Sequence, residues 1–475
     1  MPVVDEVNVE TLPLSAQGTA AAAEREPEPV LTPRGRLRRL ARRILAKRLV
    51  WLLIALPLGW MGIELWHRMG DAFETRPIKT VTAVGTSNEL PGVETPGFVS
   101  AISALTETAI VPGNQVELLL DGSATLTRIE ADARSSKKSI VVQTYYCAPG
   151  KVAERLKQVM MSKAQQGLSV LFLPDAFGCG SLGDGYFDSL RTAGVRVAKM
   201  RPFKWYSLHR SLHRSHVRVA IIDSKIAYTG GFGFADKWLP NPDGPPWQET
   251  TVRFRGPAVA ELAGAFGIAW ADATGELLAG DGIFPDAFIP DEGTLAGVMF
   301  TTRTYGTPVP ERYLSLSLAA ARRHVYIANP YFIPNKDLRK WLKEAVARGV
   351  DVHILTASSN IDVKFTRWAG RSTYEELLAA GVKIYEYTPS MLHAKTMVID
   401  GVFVSVGSLN LDNISLRIND EAVLLSQDST LAAALEKRFL ADIAKAEKIT
   451  LAKFKKRPLY EKLTQWVALV VRDYM

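Results

Sequence analysis

Met391-Leu-His-Ala-Lys-Thr-Met-Val-Ile-Asp-Gly-Val-Phe-Val-Ser-Val-Gly-Ser-Leu-Asn410 is the stretch from which the rest of the chain can be read. His393, Lys395 and Met397 alternate as on one face of a strand, a glycine turn follows, and Val402 to Val406 starts a second strand. That strand runs into Gly407 and Ser408, where small residues let the backbone approach a ligand, and Asn410 adds a second polar side chain at the rim. The spacing is His-x-Lys, four residues to Asp400, then six to Gly407-Ser408-Leu409-Asn410. The same spacing occurs 177 residues earlier, 393 less 216, as His216-Val-Arg218 with Asp223 and the trailing Gly230-Gly231-Phe232-Gly233. The chain therefore reads as a duplication.

From about residue 111 the two halves lay side by side. In the first, a helix around Ala124 to Arg134 precedes a strand from Ile140 to Tyr146. A helix from Val152 to Gln166 follows, then a strand over Leu168 to Leu173, a helix ending at Ala193-Gly194 and a strand over Val195 to Lys199. In the second, the matching segments are Tyr313 to Arg323, Val325 to Phe332, Asp337 to Arg348, Val350 to Leu355, Ser372 to Ala380 and Val382 to Tyr387. Alternating strands and helices imply an α/β fold with parallel pairing and helices on the sheet faces. The expectation is two tandem α/β repeats, 111–290 and 291–475, related by a pseudo-twofold axis. The first half carries an extra basic and aromatic loop, Arg201 to Ser215 with His209 and His213, which could hold a phosphate headgroup, touch lipid or simply be solvated.

Of 475 residues, 57 are basic and 49 acidic, but Arg34 to Arg48 holds eight basic and no acidic residues. Without that segment the chain carries 49 of each, 57 less 8 against 49, so its body is near neutral and lacks the basic balance that nucleic-acid binding demands. Residues 1–33 are rich in Ala, Glu and Pro and read, with the basic segment, as a disordered tail over 1–48. Leu49 to Trp66 contains one charge, Glu64. At about 1.5 Å per residue it is roughly 27 Å long, which suits one membrane crossing. The basic residues before it place the N-terminus in the cytoplasm and the folded body outside it, with residues 67–110 as a linker. A monotopic or a buried helix is the alternative. Cys147 and Cys179, the two cysteines, each follow a predicted strand and could pair in an oxidising compartment, or be unrelated buried thiols. Leu459, Leu463, Trp466, Val467 and Val470 have the spacing of a C-terminal amphipathic helix.

Two imidazoles and two fixed cations, with no carboxylate cluster for a metal, suit attack on a phosphodiester. A neutral His attacks phosphorus, giving a phosphohistidine, and a protonated one gives its proton to the leaving alkoxide. Arg218 and Lys395 would neutralise the five-coordinate transition state, with Ser408 and Asn410 as further donors. Each imidazole also needs its second nitrogen oriented, and Glu249 and Glu421, at the start of the strands after the motifs, are the candidates.

At these residues the sequence resembles the phospholipase D superfamily, and within it the bacterial cardiolipin synthases. Asn329-Pro-Tyr-Phe-Ile-Pro334, Ala345 to Leu355 and Tyr374 to His393 carry the likeness to the latter, which covers about residues 115 to 475. The resemblance implies a cofactor-free, metal-independent ping-pong reaction in which His216 is the nucleophile and His393 the general acid. Arg218 and Lys395 would bind the phosphate, Glu249 and Glu421 stand behind the histidines, and Asp223 and Asp400 hold the fold around the site. It further implies transfer of a phosphatidyl group from one phosphatidylglycerol to another with release of glycerol. Arg218 departs from the family's lysine, Gly231 and Gly233 stand where its Ser and Asn would be, and a single N-terminal span replaces the usual pair. Water as acceptor (phospholipase D hydrolysis), a nucleic-acid phosphodiesterase and a non-catalytic lipid-binding protein are the other readings of the same pattern.

Overall fold

The computed structural model describes residues 78–458 apart from 86–88, 203–212, 241–243, 287–291 and 303–305, together with residues 45, 49, 51, 55, 58, 59, 62 and 461. The chain divides into two compact units, 1–66 and 67–475. In the first, every described residue is helical, and Leu45, Leu49, Trp51 and Leu58 are exposed. Most of the expected membrane span, the basic tail and the C-terminal amphipathic helix lie outside the described residues; among those described, no helix is long and apolar enough to cross a membrane.

Among the described residues, the second unit is built on one mixed sheet of fifteen strands that runs through both halves. The first half supplies β1 (Val111–Leu119), β2 (Ser139–Thr144), β3 (Ser169–Pro174), β4 (Arg196–Val197), β5 (Val219–Ile222), β6 (Ile226–Gly230) and β7 (Thr251–Arg255). The second supplies β8 (Thr294–Thr301), β9 (His324–Ala328), β10 (Asp351–Ala357), β11 (Lys383–Tyr387), β12 (Thr396–Ile399), β13 (Phe403–Gly407), β14 (Glu421–Gln427) and β15 (Ala446–Ile449). β1 and β8 meet antiparallel at a seam. Outward from it the order is β7, β6, β5, β2, β3, β4 on one side and β14, β13, β12, β9, β10, β11, β15 on the other, so the first seven strands of each half follow one order. Among the strands of the described residues, only β2–β3–β4 and β9–β10–β11 pair in parallel, where helices make the crossovers. The two halves therefore share a continuous sheet instead of forming separate ones.

The seam is pinned by buried Asn114. Its amide donates to the carbonyls of Val111 at 2.9 Å and Ala296 at 3.0 Å, across a break in the β1–β8 register. Its oxygen accepts from Ala258 N–H at 2.9 Å, at the start of the helix Ala258–Thr274. That helix packs Leu262, Phe266 and Trp270 into a core with Val298, Leu424 and Leu435, so apolar residues of both halves interlock at the centre. Within the expected linker, the helix Pro96–Thr106 starts from the side chain of Thr95, which accepts from Phe98 N–H, and buries Phe98 and Ile102. Phe98 meets Phe403 edge-on at 5.0 Å. Each such fully buried side chain contributes on the order of 1.5–3 kcal/mol, which fastens this segment to the second half.

Cys147 and Cys179 are both buried and are free thiols instead of a disulfide. The Cys179 thiol points at the carbonyls of Thr144 and Tyr145, at 3.8 and 3.6 Å, where β2 ends. The expected strand over Val195 to Lys199 reduces to the two residues of β4, although the chain stays beside β3, with Ala198 N–H donating to Phe172 O at 3.1 Å and Met200 N–H to Pro174 O at 2.9 Å.

Candidate active site

His393 and Lys395 do not lie within a regular strand, as alternation predicts. β12 begins only at Thr396, and residues 391–393 instead bond to Gln248 of the first half. Gln248 N–H donates to Met391 O at 2.8 Å, and His393 N–H donates to Gln248 O at 2.8 Å. The first motif does the same in reverse: Asp420 N–H donates to Arg214 O and His216 N–H to Asp420 O, each at 3.0 Å. Each histidine segment is thus drawn off its own sheet position by the other half, and these exchanges bring the ends of β7 and β14 behind the imidazoles.

The carboxylates consequently pair across the halves. His216 Nδ1 lies 3.0 Å from both oxygens of Glu421, and His393 Nδ1 lies 3.4 Å from Glu249 Oε2. With the carboxylates accepting, Nδ1 carries the proton and Nε2 keeps its lone pair. Arg218 Nη1 donates to His216 Nε2 at 3.1 Å, and Lys395 Nζ donates to His393 Nε2 at 3.1 Å. Both cations also donate back to the carbonyl of their own histidine. Arginine for lysine therefore keeps the contact that the motif makes.

Burial dominates the electrostatics. Both histidines, Arg218, Lys395, Glu249 and Glu421 are buried. Loss of solvent and the neighbouring cations Arg218 and Lys395 hold both imidazoles well below their usual range. Desolvation pushes Glu249 up to about 7 and Glu421 up to about 8, and drives Lys395 well below its ordinary value. Arg218 and Lys395 stand beside two imidazoles that are held towards the neutral form, and the negative charge of an arriving phosphodiester would favour protonating one of them, giving the neutral and charged pair that phosphoryl transfer needs.

The residues after the motifs differ between halves. Ser408 donates to Glu421 Oε2 at 2.5 Å and accepts from Ala422 N–H at 3.1 Å; Asn410 is buried with an unpaired oxygen. In the first half Gly231 N–H donates directly to Glu249 Oε1 at 2.7 Å, and a Cβ on Gly231 would sit 2.4 Å from Glu249 Oε2. Glu249 therefore occupies the room a serine would need, with Thr251 as its hydroxyl donor at 3.2 Å. A Cβ on Gly233 would lie 2.8 Å from the ring of Trp238, which fills the asparagine's place and meets His393 edge-on at 5.4 Å. The first half has exchanged its polar rim for aromatic surface.

Asp223 and Asp400 stand away from the imidazoles and make one and the same joint. Each adopts a left-handed φ of 53° in its turn. Asp223 accepts from the N–H groups of Lys137, Lys138 and Ser139, and Asp400 from those of Arg322, Arg323 and His324, fixing the starts of β2 and β9. Sequence reasoning missed Tyr145, whose ring meets His216 at 4.9 Å, and Trp238 and Trp247, both 5.4 Å from His393. It also missed Asp420, which binds His213 Nε2 and Arg201 Nη1 at 2.8 Å each. Aromatic residues in loops carry no spacing signal. The Trp-Tyr-rich part of the expected loop, with His209, lies outside the described residues.

The family described as cardiolipin synthase, PLD-like domain, matches residues 314–443. Cardiolipin synthase of Geobacillus kaustophilus is 32% identical over 363 residues, covering 75% of this chain and 71% of that protein. Cardiolipin synthase A of Pseudomonas fluorescens is 34% identical over 352 residues, covering 74% and 72%. The chain belongs to the cardiolipin synthase family, within the phospholipase D superfamily. The crystal structure of phosphatidylserine synthase from Haemophilus influenzae superimposes with a TM-score of 0.63 at 14% identity, over 80% of this chain and 99% of that one, a likeness of fold. The family match falls on the second half, where Ser408 and Asn410 are kept; the first half, with Arg218, Gly231 and Gly233, lies outside it.

Proposed function

We propose that the chain is a phosphatidyltransferase that joins two phosphatidylglycerol molecules into cardiolipin with release of glycerol. The observation that carries this is the facing pair of buried imidazoles, each with a cation at Nε2 and a carboxylate from the other half at Nδ1. In the first step His216 Nε2 attacks phosphorus, the bond from phosphorus to the headgroup glycerol oxygen breaks, and protonated His393 gives that oxygen its proton. Phosphate oxygens take over Arg218 and Lys395, which at rest donate to the Nε2 atoms. Their charge then stabilises the five-coordinate state. In the second step His393 takes the proton of a glycerol hydroxyl on another phosphatidylglycerol, whose oxygen attacks phosphorus as the bond to His216 breaks. Asp223 and Asp400 hold the frame, while Ser408 and Gly231 position the carboxylates.

The family membership supports this reading, as do the shared outward strand order and the matching turns at Asp223 and Asp400, which favour two repeats, 111–290 and 291–475, about a pseudo-twofold axis. Substrate and product are membrane lipids. With the basic run before it and the apolar run itself, residues 49–66 serve as a single inner-membrane anchor with a cytoplasmic N-terminus and a periplasmic body. The test is full-length protein in detergent with labelled phosphatidylglycerol, beside His216→Ala and His393→Ala. Cardiolipin and free glycerol from wild type and neither from the variants are expected; phosphatidic acid in place of cardiolipin, with glycerol still released, makes water the acceptor and refutes transfer.

A further inference from the structure

Cardiolipin formation, on the reading above, requires a second anionic lipid whose own phosphate lies one three-carbon glycerol unit from the attacking hydroxyl. Arg218 and Lys395 serve the phosphorus that reacts; a further cation beside His393 would be needed for the other. Lys237 stands there. Its ammonium lies 3.7 Å from the ring centre of Tyr146, 3.8 Å from that of Trp247 and 5.0 Å from that of Trp238. Trp238 and Trp247 in turn touch His393, and the charge of Lys237 is one of those that depress the His393 imidazole.

The position is built, not incidental. Asp236 accepts from the N–H groups of Lys151 and Val152 at 2.9 and 2.8 Å, at the start of the helix Lys151–Gln165. Trp247 N–H donates to Lys237 O at 2.9 Å, and the next residue, Gln248, bonds to the His393 segment. Tyr146, Lys237 and Trp247 are half-buried, at the mouth, while the histidines behind them are buried. Aromatic faces hold an ammonium without consuming its hydrogen-bond donors, and among the described residues the Lys237 ammonium has neither a hydrogen-bonded nor an ion-paired partner. Asp362, exposed and bonded to Tyr331 at 2.7 Å, is the acidic group whose charge it feels, and it lies beyond ion-pair distance. Desolvation lowers the ammonium to about 8, so it is charged at neutral pH.

We propose that Lys237, held in the cage of Tyr146, Trp238 and Trp247, binds the phosphate of the acceptor phospholipid and so selects an anionic lipid over a neutral alcohol as acceptor. The inference rests on the phosphatidyltransferase reading. It also gives the replacement of Ser and Asn by Gly231 and Gly233 a purpose, since the room at Gly233 is what admits the Trp238 ring of the cage.

The test compares two reactions of one phosphatidyl-enzyme in full-length protein: cardiolipin formation from phosphatidylglycerol, and exchange of labelled free glycerol into phosphatidylglycerol, which needs no second phosphate. Lys237→Gln is expected to lower cardiolipin formation at sub-saturating lipid by about ten-fold, the loss of one charged contact, and glycerol exchange much less; Lys237→Arg restores most of the difference. Equal loss in both reactions overturns the assignment and makes Lys237 part of the donor site or the frame. No loss in either overturns it too. Wild-type protein that performs neither reaction sinks the phosphatidyltransferase reading itself, which the variant-to-wild-type ratio does not address.

Discussion

Above about pH 8, where Glu421 is ionised, replacing it by glutamine removes a negative charge and almost no volume from behind His216. Both of its oxygens stand 3.0 Å from His216 Nδ1, and Oε2 also accepts from Ser408. Glutamine keeps one oxygen for Nδ1–H, so the ring stays in place, while the positive charge that grows on the imidazole as Nε2 bonds to phosphorus loses its counter-charge. A hydrogen bond to a charged partner is worth about 1.5–3 kcal/mol. At about 1.4 kcal/mol per factor of ten this becomes a fall in kcat of roughly 10- to 150-fold, with KM little changed. Glu249→Gln should cost less, at the low end of that range, because its contact to His393 is a single one at 3.4 Å and Gly231 N–H already shares its charge. Initial rates of glycerol release over neutral to alkaline pH provide a second readout. Burial pushes Glu421 up to about 8, and a protonated carboxyl cannot offset an imidazole's charge. The kcat/KM of the free enzyme therefore rises as pH passes through that value, and the ascending limb disappears in Glu421→Gln. A Glu421→Gln rate within about three-fold of wild type, or an unchanged limb, would refute the argument that this carboxylate supports the nucleophile.

Three further outcomes are expected. Asn114→Leu orphans the Ala258 N–H and the carbonyls of Val111 and Ala296 at the seam, and should cost roughly 2–4 kcal/mol, read as a lower urea midpoint. Asp400→Ala loses the acceptor of three N–H groups and puts a Cβ residue without a polar side chain at φ 53°; about 3 kcal/mol of stability should go, with Asp400→Asn recovering part of it in thermal melts. Gly231→Ser, although it restores the family's residue, should lower kcat by about ten-fold or more, because its Cβ meets Glu249 Oε2 at 2.4 Å and His393 O at 2.9 Å; a gain in rate would contradict that packing.

The duplicated motif, the α/β alternation and the histidine–cation pairs were legible in the sequence because spacing along one chain records them directly. Glu249 and Glu421 could be picked out as carboxylates at the start of the strand after each motif, but not assigned to their histidines: that assignment depends on a seam between β1 and β8, set by contacts far apart in sequence. The same exchange explains why His393 and Lys395 alternate like strand residues yet precede β12: Gln248 takes the backbone bonds that a neighbouring strand would otherwise supply. At Gly231 and Gly233 the sequence announces an absence, and only packing reveals that Glu249 and Trp238 moved into the space. The helix Pro96–Thr106 escaped because it is short and starts in a Gly- and Pro-rich stretch that reads as linker.

The crossed carboxylates have a genealogical consequence. A lone first half would keep His216 and Glu249 with no way for the one to reach the other inside a single molecule, whereas two copies laid edge to edge along β1 would complete each other's histidines. Such a protein would have been an obligate homodimer, and fusing its two genes would leave both active dyads intact on the first day. Within one chain the two halves need not be identical: the first carries Gly231, Gly233, Lys237 and Trp238, while the second carries Ser408 and Asn410. A symmetric catalyst could thereby treat its two lipid substrates differently.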